Sequence, residues 1–406
     1  MKNYTLHALM DRLGCTRYPE RWNSILDEVT KDLELNGNPL VTPEYYANLS
    51  EKYGVLKKHL EFYKRAAVQI SESAELSLFF ALLCRAIDDR AVFEDDLAHL
   101  SMPTPLDGED PLAYRLMGGL VLCKAIDGFY EDMKKRGLPD DVVTASLRLP
   151  EDSVEAYRRK HNGECGFASF SWYQLFYDHR LLRIGALTME FPAPFPSIAN
   201  VIGNKEGTTI ALATNVTCHR DGFPLGARHF EDTEGAFTAT LEETKDAFIG
   251  NVYDERGYVK KEKQTFKKDE WNILFKGGDG MVSIHIPHGA RFDSETVRAS
   301  VERTKVIIRE YYPEYDFKTF FCGSWLLDPQ LCDMLSPESN IVKFCKLFKP
   351  LAVKDSGSCV FGFVFNKPDM NFEISELPET TSLERAIKTH YLGGKAIYET
   401  FGYFLP

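Results

Sequence analysis

A histidine stands between two isoleucines at the end of an alternating run, Ile284-His285-Ile286, and Pro287 and Gly289 follow at once. An imidazole enclosed by apolar neighbours can act as a general base, because burial tunes its proton affinity towards neutrality. The same position also suits a hydrogen-bonded core histidine. Glu190 ends a second alternating run, "LLRIGALTMEF" (181–191), just before "PAPFP". A carboxylate there can take a proton or hold a substrate amine, or it can simply finish a surface strand. Cys322 and Ser324 in "FFCGSWLLDP" (320–329) are nucleophile types. No GxSxG elbow frames them and no partnered histidine is in a recognisable frame, so both read as sheet residues, and a hydrolase is the weakest reading. His285 and His288 lie three apart, on opposite faces of a strand, which argues against a shared metal. The acidic run "AIDDRAVFEDDLAHL" (86–100) has magnesium-like spacing but no phosphate-binding partner motif, and it reads as a solvated helix face.

The stretch after His285 reads as a strand, a tight turn and a helix. Asp293 is placed to cap the helix, and Val297, Val301, Ile308 and Tyr312 form its core-facing stripe. A strand that runs into a helix N-terminus can cradle a phosphate. Asp293 and Glu295 compete for the same N–H groups, while Arg291 and Arg298 partly offset their charge. Taken alone, the turn reads as a plain connection. "GGDG" (277–280) reads as a turn between strands, because it lacks the phosphate-loop frame.

The elements that must position these residues change character along the chain. The first ~145 residues carry Leu, Phe and Ala at helical spacing in long stretches without proline. "YRLMGGLVLCKAIDGFYEDMKKRG" reads as one helix, with Gly118 and Gly119 tolerated only where a neighbour packs close. Past residue 165, aromatic and β-branched residues at period two predict strands at "FASFSWYQ", "LLRIGALTMEF", "TTIALATNVT", "AFTATL", "MVSIHIP", "FKTFFCGSWLL" and "CVFGFVF". Helices are predicted at 293–311 and 337–348. The charged segment 241–270 reads as a solvated hairpin or an insertion.

The chain has 406 residues, enough for two domains, and a net charge of -12. That acidity excludes a sequence-independent nucleic-acid binder, which needs a basic surface. Nine scattered cysteines without a CxxC pair point to a reduced, cytoplasmic protein with no structural zinc. The longest apolar run, "LSLFFALLC" (76–84), falls well short of the ~20 residues of a bilayer crossing and reads as a buried helix.

Several of these motifs, in this order, resemble a bacterial family of two-domain acyltransferase-like proteins: Trp271, "GGDGMVSIHIPHG", "FFCGSWLLDP", "SPESNIVKF" and "LPETTSLERAIKTHYLGGK" (377–395). Such proteins join a helical N-acyltransferase N-terminal domain to a GNAT-like C-terminal domain. The resemblance implies an α+β chain: an all-helical domain over 1–145, then over 146–406 a GNAT-like mixed, mostly antiparallel sheet with flanking helices and a C-terminal extension. It implies acyl-CoA, acetyl or longer, as co-substrate with no metal. It also implies an amine of a small molecule or peptide as acceptor, with neither nucleic acid nor membrane as partner. Residues 281–287 are similar to the strand along which pantetheine lies, and 317–326 to the strand that splays from it. Residues 288–295 are similar to the pyrophosphate turn. On this resemblance Ile286 supplies a backbone donor near the carbonyl, Gly289 and Arg291 meet the pyrophosphate, and Asn340 contacts pantetheine. His285 or Glu190 is the base, and Ser324 or a water protonates the thiolate. The turn departs from the family in having one glycine and an acidic cap. The tyrosine often found seven residues after the asparagine is Leu347 here. These departures leave a second expectation, a GNAT-like scaffold that binds a ligand or protein without catalysis.

Overall fold

A computed structural model of the chain describes residues 4–225, 233–355, 359–367 and 371–406. The chain forms two compact units, Met1–Leu181 and Leu182–Pro406. The expected join near residue 145 falls inside the helical unit. Helices Leu149–Lys160 and Phe170–Tyr177 still belong to it.

The second of these helices occupies "FASFSWYQ", where alternation predicts a strand. Ser169 turns the chain at φ +58, and Phe170 then packs on Gly118. A Cβ on Gly118 would meet the Phe170 ring at 3.0 Å, and one on Gly119 would meet the Phe167 ring and the Tyr63 hydroxyl at 2.8 Å. The two glycines therefore accept the aromatic pair, and close approach offsets their cost to the helix. The predicted single helix over 114–137 is two, Leu112–Cys123 and Ile126–Arg136. The first is apolar on every side and nearly all buried, whereas the second carries Lys134, Lys135 and Arg136 in its last turn and ends on Gly137 at φ +81.

The acidic run 86–100 is a solvated face at Glu94 and Asp95 but not at Asp96. Asp96 is 1% exposed, and its carboxylate accepts from the Arg21 guanidinium and from Trp22 Nε1–H at 3.0 Å. Asp88 accepts from Lys124 Nζ and the Tyr177 hydroxyl. Asp88 and Asp96 thus tie helices together. Among the described residues no single helix is long and apolar enough to cross a membrane.

The second unit opens with strands β1 (Leu181–Ile184), β2 (Leu187–Pro194), β3 (Ala199–Asn204), β4 (Thr209–Ala213), β5 (Thr217–Cys218), β6 (Phe237–Thr238) and β7 (Leu241–Glu243). It continues with β8 (Ala247–Tyr253), β9 (Val259–Lys267), β10 (Trp271–Phe275), β11 (Gly280–His285), β12 (Phe317–Ser324), β13 (Lys349–Asp355) and β14 (Glu399–Phe404). One sheet has the order β1-β2-β11-β12-β14-β13, and the other runs β10-β3-β4-β8-β7 with β9 also on β8. The β11–β12 pair is parallel and is joined by helix Ser294–Tyr311. The pairs β2–β11, β12–β14 and β13–β14 are antiparallel, giving the expected mixed, mostly antiparallel sheet.

The two sheets meet through Phe195, Val201, Phe275, Met281, Phe321 and Tyr403. The β8–β9 hairpin lies within the charged 241–270 segment. Its lysines line an exposed edge strand, a device that discourages pairing with other chains. "CVFGFVF" is a helix, Cys359–Val364, and not a strand; Val360 and Phe361 pack into a cluster with Trp325, Leu331 and Ile387. Seven consecutive apolar residues carry no period, and burial on a curved cluster decides in favour of the helix.

Candidate active site

Strand register brings His285 and Glu190 together. Ser283 pairs with Glu190 and His285 with Thr188 across β11–β2. Directly opposed residues share a face, and residues two apart along a strand share it too, so all four side chains stand on one side of the sheet. A bulge in β2 helps set this geometry. Met281 pairs with Ala193 but Ser283 with Glu190, so β2 has one residue more than β11 over that step. Pro192 sits within the bulge, at a place where the ladder cannot use its missing N–H.

The His285 ring Nε2 lies 2.9 Å from Glu190 Oε2. Their side chains are 28% and 13% exposed, enclosed yet reachable. A carboxylate only accepts, so Nε2 carries the proton in this pair. The sequence gives both residues but not the pairing, since 95 positions separate them.

The ladder beside this pair is one-sided. Between β11 and β12, Met281 pairs with Thr319, Val282 with Phe320 and Ser283 with Phe321, and there the pairing stops. On the other side, β11 stays paired with β2 through His285. β12 goes on past Phe321 paired only with β14, as far as Ser324 opposite Thr400. The two parallel strands therefore part after Ser283, three residues before Ile286. Ile284 to Ile286 thus lie beyond the last β11–β12 pair, on an edge of the kind to which an extended ligand can add as a strand. Ile286 itself packs on the apolar cluster that holds Trp325, Leu326 and Leu331.

The turn that follows is a β-turn in which Ala290 N–H donates to Pro287 O at 3.1 Å. Gly289, in its third position, has φ +73. Nothing lies within 4 Å of a Cβ placed there, so the backbone angle and not crowding calls for glycine. Asp293 caps the helix, accepting from Thr296 N–H and from the Thr296 hydroxyl, both at 3.0 Å. The bond from Thr296 N–H, with smaller help from Arg291, holds this carboxyl below its usual range. Arg291 is 85% exposed, with Nη2 3.3 Å from Asp293 Oδ2. An anion at this turn would meet a carboxylate already seated on the helix N-terminus, with Arg291 as the nearby mobile cation.

Asn340 is the exposed first residue of helix Asn340–Cys345, which is capped by the Ser339 hydroxyl and shorter than the predicted 337–348 helix. Phe344 of that helix meets the Phe292 ring of the turn, and Ile341 packs in the cluster that receives Ile286. These contacts tie the helix that begins at Asn340 to the turn after β11. Ser324 does not join the pair. Phe321 shares a face with Ser283, and Ser324, three residues on along an unbulged strand, faces the other side. Its hydroxyl caps a short 3-10 turn by accepting from Leu326 N–H at 3.2 Å.

Cys322 is 1% exposed, and burial pushes its thiol up to about 12. At neutral pH only about one molecule in 10⁵ would carry the thiolate, too few for a nucleophile. Maleimide treatment of the native protein is expected to label the exposed Cys359 first and to leave Cys322 unmodified until the chain is unfolded, as read by peptide mass spectrometry. Rapid native labelling of Cys322 would reopen a thiol mechanism. Among the described residues no group of three His, Cys, Asp or Glu side chains is placed to hold a metal.

The fold has solved counterparts. A mutant acyltransferase in complex with octanoyl-CoA superposes with a TM-score of 0.63 at 19% identity, covering 99% of this chain and 100% of that one. An acyltransferase in complex with CoA and 10C-teicoplanin gives 0.61 at 20% identity, covering 98% and 99%. No curated protein matches the chain. Residues 56–178 match the N-acyltransferase N-terminal domain and residues 181–404 the GNAT-like C-terminal domain. Two adjoining matches, one on each compact unit, account for most of the sequence, and the chain belongs to the family of acyltransferase-like proteins that join an N-acyltransferase N-terminal domain to a GNAT-like C-terminal domain.

Proposed function

We propose that the protein transfers an acyl group from acyl-CoA to an amine of a small molecule or peptide. The observation that carries this reading is the parting of β11 from β12 after Ser283, with the His285–Glu190 pair at its edge. Pantetheine would lie along the released edge of β11, and the thioester carbonyl would accept from a backbone N–H there. The amine attacks the carbonyl carbon. His285 Nδ1 takes the proton that the amine loses, the C–S bond breaks, and the proton passes to the departing sulfur. Glu190 holds the ring's other nitrogen and offsets the charge the ring gains. Ser324, on the far face, has no part in this scheme.

The solved neighbours were captured with octanoyl-CoA, decanoyl-CoA and teicoplanin, which favours a medium-length acyl chain and a peptide-like acceptor over an acetyl group here too. Titration with octanoyl-CoA to about 100 times its Kd is expected to raise the melting temperature of the GNAT-like unit by about 5 °C or more, with acetyl-CoA and free CoA competing. No shift with any of the three would remove the transferase reading.

The seated carboxylate of Asp293 and the leucine at position 347 favour a second reading, a scaffold that binds without turnover. Octanoyl-CoA binding with no acylation of any peptide amine would select it.

A further inference from the structure

The helix Ser382–Leu392 belongs to the "LPETTSLERAIKTHYLGGK" motif and plays no part in the scheme above. Thr381 and Glu384 close a capping box at its start. One side packs Leu383, Ile387 and Tyr391 into the apolar cluster that also receives Ile286. Ser382, Arg385 and Thr389 recur at helical spacing on the other side and, with His390, Lys395 and Met334, line an open groove of about 540 Å³. That volume is within the ordinary range for a small-molecule site.

Arg385 and Lys395 line this groove, in a protein whose net charge is -12, and among the described residues no carboxylate does. Arg385 Nη1 donates to two neutral carbonyls, Glu379 O at 2.7 Å and Thr380 O at 3.1 Å, which aim the guanidinium without cancelling its charge. Glu379 is itself held by Lys388 Nζ at 2.7 Å. No described residue pairs with the Lys395 ammonium. His390 Nε2 is covered and has no hydrogen-bond partner among the described residues, so the groove's reachable charged groups are those of Arg385 and Lys395. The helix carbonyls in the last turn repel an anion, and His390 and Lys395 stand at that end, where a cation is needed most.

We propose that this groove is an anion subsite that binds the phosphate of a small phosphorylated molecule, with Lys395 and Arg385 supplying the charge. The phosphate belongs either to the nucleotide end of CoA or to a separate phosphorylated ligand. Only the first of these sources rests on the transferase reading; the cavity's own chemistry does not.

Calorimetric titration of the full chain with inorganic phosphate, 3′,5′-ADP, CoA and 3′-dephospho-CoA tests it. Lys395 is exposed, so Lys395→Gln is expected to melt as the parent does, to weaken 3′,5′-ADP and phosphate at least tenfold, and to recover most of that loss as Lys395→Arg. If CoA weakens with the variant while dephospho-CoA does not, the phosphate is that of the nucleotide. If CoA is untouched while phosphate and 3′,5′-ADP are lost, the ligand is separate. Millimolar phosphate and 3′,5′-ADP failing to bind the parent, or binding Lys395→Gln equally well, would overturn the subsite. Failure of CoA and octanoyl-CoA to bind the parent would instead overturn the transferase reading, and the phosphate arms would still report on the cavity.

Discussion

Replacing His285 with glutamine is expected to lower kcat for acylation of an amine by about 10²- to 10⁴-fold, the span that a positioned general base supplies. The loss should appear in kcat and not in the affinity for octanoyl-CoA, because on the proposed scheme the edge of β11 would bind through backbone groups that the substitution leaves in place. Glutamine keeps a hydrogen-bonding side chain opposite Glu190, so the pair's contribution to folding changes little, while the proton acceptor is lost. Glu190→Gln should cost less, since an amide oxygen can still accept from His285 Nε2–H at the 2.9 Å seen here and only the charge that steadies the protonated ring is missing. Glu190→Leu removes the acceptor as well and should approach the His285 loss. Single-turnover acyl transfer with octanoyl-CoA, beside calorimetric binding of the same ligand, separates the two quantities. Partial recovery of His285→Gly by added imidazole would tie the loss to the missing base. A variant that kept full turnover would move the chemistry elsewhere on the released edge.

How much of this was open to the sequence depends on the distance over which each feature is decided. The strand at 280–285, the cap at Asp293 and the helix after it follow from alternation, one acidic residue and a stripe at helical spacing, all within about thirty positions. The motif order that marks the family is likewise local. The segments "FASFSWYQ" and "CVFGFVF" were decided elsewhere. The first lies across Gly118 and Gly119, some fifty positions earlier, and the second packs into a cluster built from the turn after β12 and the helix before β14. Both are short and strongly apolar, and for such runs burial overrides period. His285 and Glu190 each stood out alone, yet only the register of β2 against β11, shifted by a bulge, makes them a pair. Pro192 inside the strand was the one local sign of that bulge. Ser324 fails for the converse reason: its type suits catalysis, but strand parity turns it to the other face.

The acidic run at 86–100 shows the same limit, with a larger consequence for stability. Asp96 looks like one of five interchangeable surface acids, but its carboxylate is buried against Arg21 and Trp22, some 75 positions away. Asp96→Ala is expected to destabilise the helical unit by about 3–5 kcal/mol, because it strands the partly buried guanidinium and the indole N–H of a fully buried tryptophan. In a unit of this size, that corresponds to a fall in melting temperature of about 10 °C. Asp96→Asn should do nearly as badly, since one of its two acceptors becomes a donor facing the guanidinium fork. Removing both ends of the ion pair, as in Arg21→Met with Asp96→Leu, should recover part of the loss, because the cost of burying charge disappears along with the attraction. The exposed Asp95, one position away, serves as the control, and its alanine variant should lie within about 0.5 kcal/mol of the parent. Calorimetry on the full chain resolves the question if the helical transition moves for Asp96 and stays for Asp95. Equal shifts for the two would mean that the run is a solvated face after all, and that the packing of Trp22 does not depend on the carboxylate beneath it.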